Sequence, residues 1–495
     1  MTISGSIPLE ETLDPEDWGS MRALGHRMVD DMMDYLENVR QRPAWQHASE
    51  QVKAHFKQPV PLEPQALDEI YEEFREFVLP YPIGNIHPRF WGWVFGTGTP
   101  LGALSELLAG SMNTNSGDFA HHSALQVEKQ VIEWLKEMLG YPISASGTLT
   151  SGCSDANLIG LTVARHAKCG FDLRREGIQG TPQKMVLYAS QEIHSSVQKA
   201  VELLGLGSES LRRVPTNKSF QIDLEILEMM IAKDRDQAML PFCVIGAAGT
   251  VNTGSIDDLQ ALADICEREN LWFHVDGAFG AWASLAPDAR TLVSGIERAD
   301  SLAFDLHKWM YMPYEIGCVL VSDAEEHRKT FILRPEYLAR EEEGRGLTGG
   351  DLPWLTDYDF RLSRRFRALK AWMSLKEHGS LKYGRMIQQN INQAQYLKGL
   401  IETAPQLELM APVPLNIVCF RYIIPNMDGV ALDDLNKEIN LELQEQGIAV
   451  LSGTRIGGKY VLRVAHTNHR TRRKDFEILA REVIRIGGQL AASKS

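Results

Sequence analysis

No stretch of the sequence approaches the ~18 uninterrupted apolar residues that a bilayer-spanning helix needs. The opening segment, MTISGSIPLEETLDPEDW, has neither the basic nor the apolar region of an export signal. Membrane insertion and export are disfavoured, and a cytoplasmic setting is expected. Cysteine is sparse. The six residues (Cys153, Cys169, Cys243, Cys266, Cys318 and Cys419) are scattered, with no CxxC pair and no histidine at zinc spacing, so reduced thiols and no metal site are expected. Positive charge is also short: 51 Lys+Arg against 65 Asp+Glu leave a formal charge of −14. That sign is wrong for a chain that must neutralise nucleic-acid phosphates or anionic lipid.

What remains is ordinary globular material. The chain has 495 residues, 44% of them apolar and 23% charged, enough for a large core and two or three domains. Residues 18–40 place Trp18, Met21, Met28, Met32, Tyr35 and Val39 at helical spacing. A proline-punctuated connection and a second helical pattern, LDEIYEEFREFVLP, follow. Residues 1–85 therefore read as a helical arm whose Met and aromatic stripe serves core or subunit contacts. From 86 to 375 short β-rich runs alternate with helical patterns. KMVLYAS (184–190), PFCVIGAAGT (241–250), LWFHVD (271–276), SLAFDL (301–306) and IGCVLVS (316–322) are the strand candidates. Near-continuous apolar strands with helical crossovers predict an α/β domain, its mostly parallel sheet covered on both faces and its ligands at the strands' carboxyl ends. Residues 376–495 have their own pattern of long helix, strand, helix, strand, helix, and predict a small C-terminal α+β domain.

Several of the middle strands end in polar residues that complement one another. SLAFDLHKW leaves its strand through Asp305, His307 and Lys308, and LWFHVDGAFGAW ends a strand at Asp276 before a run of small residues. SGCSDANL puts small and hydroxyl residues ahead of an apolar helix, where free backbone N–H groups would face an anion. YASQEIHSS carries His194 past another strand end. In GAAGTVNTGSIDDL a strand ends at Gly249–Thr250, and Ser255 with Asp258 predicts a capping box for the next helix.

Singly, each feature has a plainer reading: a solvated loop lysine, an N-cap, a capping or metal-ligating aspartate, a satisfied core histidine. Together they supply an amine for an imine, an acid for a protonated pyridine nitrogen, a helix end for a phosphate and an imidazole for a ring face. Those are the requirements of pyridoxal 5'-phosphate. Burial and neighbouring groups are expected to disfavour the charge on Lys308 and so make it nucleophilic.

HPRFWGW, HHSALQVEKQVIEWLKEMLGYP, SGCSDANL, IHSSVQKA, FHVDGAFGAWA, DLHKWMYMP and LSRRFRALKAWMSLKEHG extend over most of the chain. In them the sequence resembles the group II pyridoxal-phosphate-dependent decarboxylases, the family of aromatic-L-amino-acid, histidine and glutamate decarboxylases. The resemblance implies a PLP-dependent transferase fold of type I, with a mostly parallel seven-stranded sheet in the large domain, and a homodimer with active sites at the subunit interface. It makes Lys308 the Schiff-base lysine, Asp276 the partner of the pyridine nitrogen and His194 the residue stacked on the ring. Gly152, Cys153, Ser154 and His307 would line the phosphate, and Thr250, Ala278 and Asp305 would lie near ring or phosphate. The segment 93–100, WVFGTGTP, would approach the bound amino acid.

Two departures stand out. Many relatives carry Asn where this chain has Asp305. In aromatic members a Tyr on a closing lid, about nine residues before the Arg pair of RRFR, protonates the intermediate. Here that count reaches Leu355, with Trp354 beside it and Tyr358 offset, and the lid would be REEEGRGLTGGDLPW. The expected activity is release of CO2 and an amine from an L-amino acid. The competing expectations are a decarboxylating aldehyde synthase, a transaminase or other lyase, and a catalytically silent ligand sensor. A nicotinamide dehydrogenase is disfavoured because no GxGxxG follows a first strand. Trp91, Trp93, Phe95 and Phe119 suit a bulky substrate or simple packing equally.

Overall fold

A computed structural model describes residues 11–117, 122–333 and 353–494. Phe119 and residues 340–352 of the expected lid lie outside them. Seven strands form the large sheet: β1 (Ser146–Thr150), β2 (Met185–Ser190), β3 (Leu211–Val214), β4 (Leu240–Ala247), β5 (Trp272–Asp276), β6 (Ser301–Asp305) and β7 (Gly317–Val321). Their spatial order is β1-β7-β6-β5-β4-β2-β3, parallel throughout except that β7 runs against both β1 and β6. This is the mostly parallel α/β sheet expected. The central strands are apolar on both faces because helices cover both. Leu149, Val244, Phe273 and Leu320 face one core, while Leu187, Ile245, Trp272 and Val319 face the other.

The helix Trp18–Glu37 and the helical pair Leu67–Glu73 and Phe74–Val78 occupy the N-terminal region. Between Ala368 and Thr403 a long helix is broken only at Gly379, whose φ of 69° admits a reversal that a side chain would strain. It therefore starts ahead of 376, where the C-terminal domain is expected to begin. A second sheet, β8 (Leu407–Leu409), β9 (Ile417–Tyr422), β10 (Ser452–Ile456) and β11 (Lys459–Ala465), is antiparallel in the order β10-β11-β9-β8. Gly457 and Gly458, both at positive φ, make its hairpin turn. The helices Gly429–Glu445 and Arg473–Lys494 cover it, with Leu435, Ile439 and Phe476 packed on Phe420 and Leu462.

Two contacts lock the elements around the carboxyl edge of the large sheet. Buried Arg364, from the RRFR motif, donates to Thr148 Oγ1 at 2.6 Å, the Leu149 carbonyl at 3.1 Å and Asp359 at 2.8 Å, and also pairs with buried Glu128. Arg463 of β11 reaches across to the carbonyls of Trp93 and Asn252, each at 3.1 Å, and to that of Val251. The second sheet thereby fixes two segments that border the strand ends. The expected capping box is absent. Asp258 itself caps the helix Leu259–Arg268 by accepting from Ala261 N at 3.0 Å, whereas Ser255 turns its hydroxyl to the Ser219 carbonyl.

Candidate active site

Because β1, β2, β4, β5 and β6 run the same way, the chain leaves them at one edge. There the structure brings together the residues that follow Thr150, Ser190, Ala247, Asp276 and Asp305. Lys308, His194, Asp276, Thr250 and Ala278 all line one cavity of about 260 Å³, closed on its other side by Trp93, Val94, Phe95 and Phe279. The segment 93–100 thus contributes its first three side chains. Gly96 makes this approach possible: a Cβ there would lie 1.8 Å from the His307 carbonyl oxygen and 2.7 Å from that of Lys308. Gly96→Ala is expected to displace the Lys308 segment, costing about 1–3 kcal/mol of stability and, at roughly 10²-fold per ångström of misplacement, most of the activity. Thermal unfolding and steady-state kinetics measure the two effects.

Asp276, at the end of β5, is buried under three donors. Asn157 Nδ2 lies 3.1 Å from Oδ2, and the Ala278 N–H and the Cys153 thiol lie 3.2 and 3.5 Å from Oδ1. Asn157 is itself oriented by His274, whose Nε2 lies 2.9 Å from its Oδ1. Burial lowers the His274 pKa to about 4, so that ring is neutral and donates through Nε2. The Cys153 thiol is held protonated, its pKa pushed well up by burial and by the neighbouring Asp276 and Asp305 carboxylates. Sequence reasoning missed Asn157, although its spacing of four from Cys153 on an apolar helix puts the two on one face.

His194 caps the helix Ser195–Leu203. Its Nδ1 accepts from Ser196 N at 3.2 Å and lies 2.8 Å from the Ser196 hydroxyl, which leaves Nε2–H for the cavity. Burial lowers its pKa, partly offset by Asp276. Thr250 Oγ1 accepts from Ser255 N at 3.1 Å and is held 3.1 Å from Thr253 Oγ1, so the hydroxyl at the cavity wall is fixed.

At the amino end of the helix Cys153–Lys168, Asp305 Oδ1 accepts from Cys153 N at 2.6 Å, while its Oδ2 lies 2.9 Å from Lys308 Nζ and 3.7 Å from His307 Nε2. His307 Nδ1 sits against the Ile316 backbone, 2.9 Å from its O and 3.1 Å from its N. Gly152 and Gly317 form the floor. A Cβ on Gly317 would come within 2.8 Å of both Asp305 Oδ1 and Gly152, and one on Gly152 would face His307 at 3.4 Å. Ser154 stands exposed on the first helical turn; like Gly152, Cys153, Asp305 and His307, it does not line the cavity itself.

Two sequence expectations change. Asp305, expected only near ring or phosphate, is 2% exposed and pairs directly with Lys308 and the Cys153 N–H. Lys308 does not lose its charge through burial. Desolvation does lower its pKa, but Asp305, with Cys153 and Asp276, outweighs that and raises it, because the carboxylate sits at contact distance.

Tyr314, another residue the sequence reading missed, lays its ring 4.4 Å from that of His307 and 5.9 Å from that of Phe95. Leu355, at the expected lid-tyrosine position, is buried. Tyr358 packs its ring 5.0 Å from His327, whose Nδ1 lies 2.8 Å from Ser146 Oγ at the opposite end of β1 from the cavity.

These residues fit pyridoxal phosphate: an amine, an acceptor-only carboxylate on the far wall, a ring-face imidazole, and a glycine-floored helix end. The comparisons agree. Residues 49–423 match the family model for the pyridoxal-dependent decarboxylase conserved domain, and the chain belongs to that family. It is a pyridoxal-phosphate-dependent amino-acid decarboxylase of fold type I. It is 34% identical to the aromatic-L-amino-acid decarboxylase of Bacillus atrophaeus, over 91% of this chain and 92% of that one. It is 28% identical to a phenylacetaldehyde synthase of a Rosa hybrid cultivar, over 93% and 92% of the two chains. The crystal structure of Oryza sativa TDC with PLP and tryptamine superposes with a TM-score of 0.89 at 26% identity, covering 97% of this chain and all of that one. No described helix is long and apolar enough to cross a membrane.

Proposed function

We propose that the substrate is an aromatic L-amino acid, decarboxylated to its amine. The carrying observation is the cavity lining: Trp93, Phe95 and Phe279 form an aromatic wall beside Lys308, and no arginine lines it among the described residues. An acidic side chain would find no countercharge there. Glu192 does line the cavity, but it accepts from Asn252 Nδ2 at 2.9 Å, so it is engaged rather than free for a basic substrate. The similarity to the Bacillus atrophaeus enzyme supports the same reading.

When bound, pyridoxal phosphate supplies an electron sink for the pair left behind as CO2 departs. The chain supplies the rest. Lys308 is the amine that holds the cofactor's aldehyde carbon, and Asp276 keeps the pyridine nitrogen protonated. His194 covers the ring face, and Thr250 and Ala278 border it. Gly152, Cys153, Ser154 and His307 cradle the phosphate. The aromatic wall excludes water and orients the substrate side chain. Lys308 and His194 are the described cavity groups with a nitrogen able to return a proton to the α-carbon.

Residues 1–85 act as an arm between two copies of the chain, 86–375 as the cofactor domain and 376–495 as the small domain. Met28, Met32, Leu104 and Leu107 line an open apolar groove of about 640 Å³ between arm and body, which a second copy would cover. The cell compartment is the cytoplasm.

A second reading, aldehyde synthase, draws on Leu355 and Tyr358, neither of which lines the cavity, and on the Rosa relative. One assay separates the readings. The common L-amino acids are screened for CO2, amine, aldehyde and peroxide with added cofactor. Tryptophan, tyrosine or phenylalanine should exceed glutamate and lysine by about a hundredfold in kcat/KM, with amine equal to CO2. Peroxide and aldehyde equal to CO2 would establish the second reading instead.

A further inference from the structure

The carboxylate of Asp305 already occupies the place where an anion would be received. Its Oδ1 takes the first free N–H of the helix Cys153–Lys168 at 2.6 Å, and its Oδ2 takes the Lys308 ammonium at 2.9 Å, with His307 Nε2 3.7 Å away. Two of those donors, the helix-end amide and the imidazole, are ones an incoming phosphate needs. Gly317 lies directly behind and leaves room for the carboxylate: a Cβ there would meet Asp305 Oδ1 at 2.8 Å. The group is 2% exposed, so water screens little of its charge.

We propose that Asp305 competes with the cofactor's phosphate for the helix end, so that the chain binds its cofactor more weakly, and exchanges it more readily, than the cradle would otherwise allow. This rests on the reading above that the phosphate sits among Gly152, Cys153 and His307. An asparagine at 305 keeps an oxygen for the Cys153 N–H and removes the fixed anion, leaving Lys308 without its ion-pair partner.

The test isolates the phosphate arm. Apoenzyme of the wild type and of Asp305→Asn is titrated with pyridoxine 5'-phosphate and with pyridoxine, followed by tryptophan fluorescence. Both ligands carry an alcohol in place of the aldehyde and form no bond to Lys308. Asp305→Asn should tighten pyridoxine 5'-phosphate by about tenfold or more while changing pyridoxine by less than about twofold. Asp305→Ser, which removes the charge but keeps a hydroxyl acceptor, should shift the ratio the same way and guards against a folding defect in the first variant. A ratio of the two affinities that is unchanged or reduced in both variants would overturn the proposal. Pyridoxine 5'-phosphate that binds no more tightly than pyridoxine in the wild type and in both variants would take the phosphate out of this cradle, and the proposal with it.

Discussion

Lys308→Ala is expected to abolish both the colour of the bound cofactor and turnover, with kcat falling by roughly 10⁴-fold or more, the scale on which enzymes lose a covalent catalytic group. The loss is large because no other described amine lines the cavity. The protein should stay folded. Lys308 contributes one ion pair, to Asp305, and that carboxylate keeps its Cys153 N–H partner. Absorbance, mass and thermal unfolding of the purified variant, alongside kinetics, separate loss of chemistry from loss of fold. A variant that keeps coloured, covalently bound cofactor would relocate the attachment point.

Asp276→Asn is expected to leave the cofactor bound but slow decarboxylation by about 10²–10⁴-fold, with KM little changed. The carboxylate sits among donors only: Asn157 Nδ2, the Ala278 N–H and the Cys153 thiol. It is therefore built to accept, and on the proposed reading the remaining acceptance would go to a protonated ring nitrogen. An asparagine turns one N–H₂ toward these donors and carries no charge to hold the ring proton. The electron sink weakens while the lysine attachment and the phosphate contacts persist. Unchanged kcat in this variant would mean that the ring nitrogen lies elsewhere. Asn157 acts on the same reaction through Asp276, as a positioning residue.

The parts of the site legible in the sequence were those set by strand ends. In a sheet whose middle strands are buried on both faces, a run such as LWFHVD or SLAFD announces where it stops, and the first polar residues beyond it must lie at the carboxyl edge. That logic reached Asp276, Lys308, His194 and Thr250, which the structure gathers around one cavity. It also gave the parallel sheet, but not all of its strands. SGTLT, which forms β1, has no apolar run to mark it. A Cβ on its Gly147 would crowd the side chains of Leu320, at 2.7 Å, and Ile132, at 2.9 Å. LRRV, which forms β3, is a short edge strand with its arginines turned partly outward.

What stayed hidden depends on contacts between segments distant in the chain. Gly96 is needed by the His307 backbone, Gly317 by Gly152 and Asp305, and Tyr314 by His307. The charge state of Lys308 was misread for a related reason. Burial alone argues for a neutral amine, but a carboxylate three residues earlier, turned inward at the strand end, reverses the sign. The start of the long helix at Ala368 is hard to see in the sequence because Gly379 interrupts its pattern without ending it.

The most direct measurement is borohydride reduction of the freshly purified holoenzyme followed by peptide mass mapping. The account predicts that the reduced cofactor is found on the peptide carrying Lys308, in near-stoichiometric yield. Cofactor mass on a different lysine, or none on any peptide from coloured protein, would contradict it.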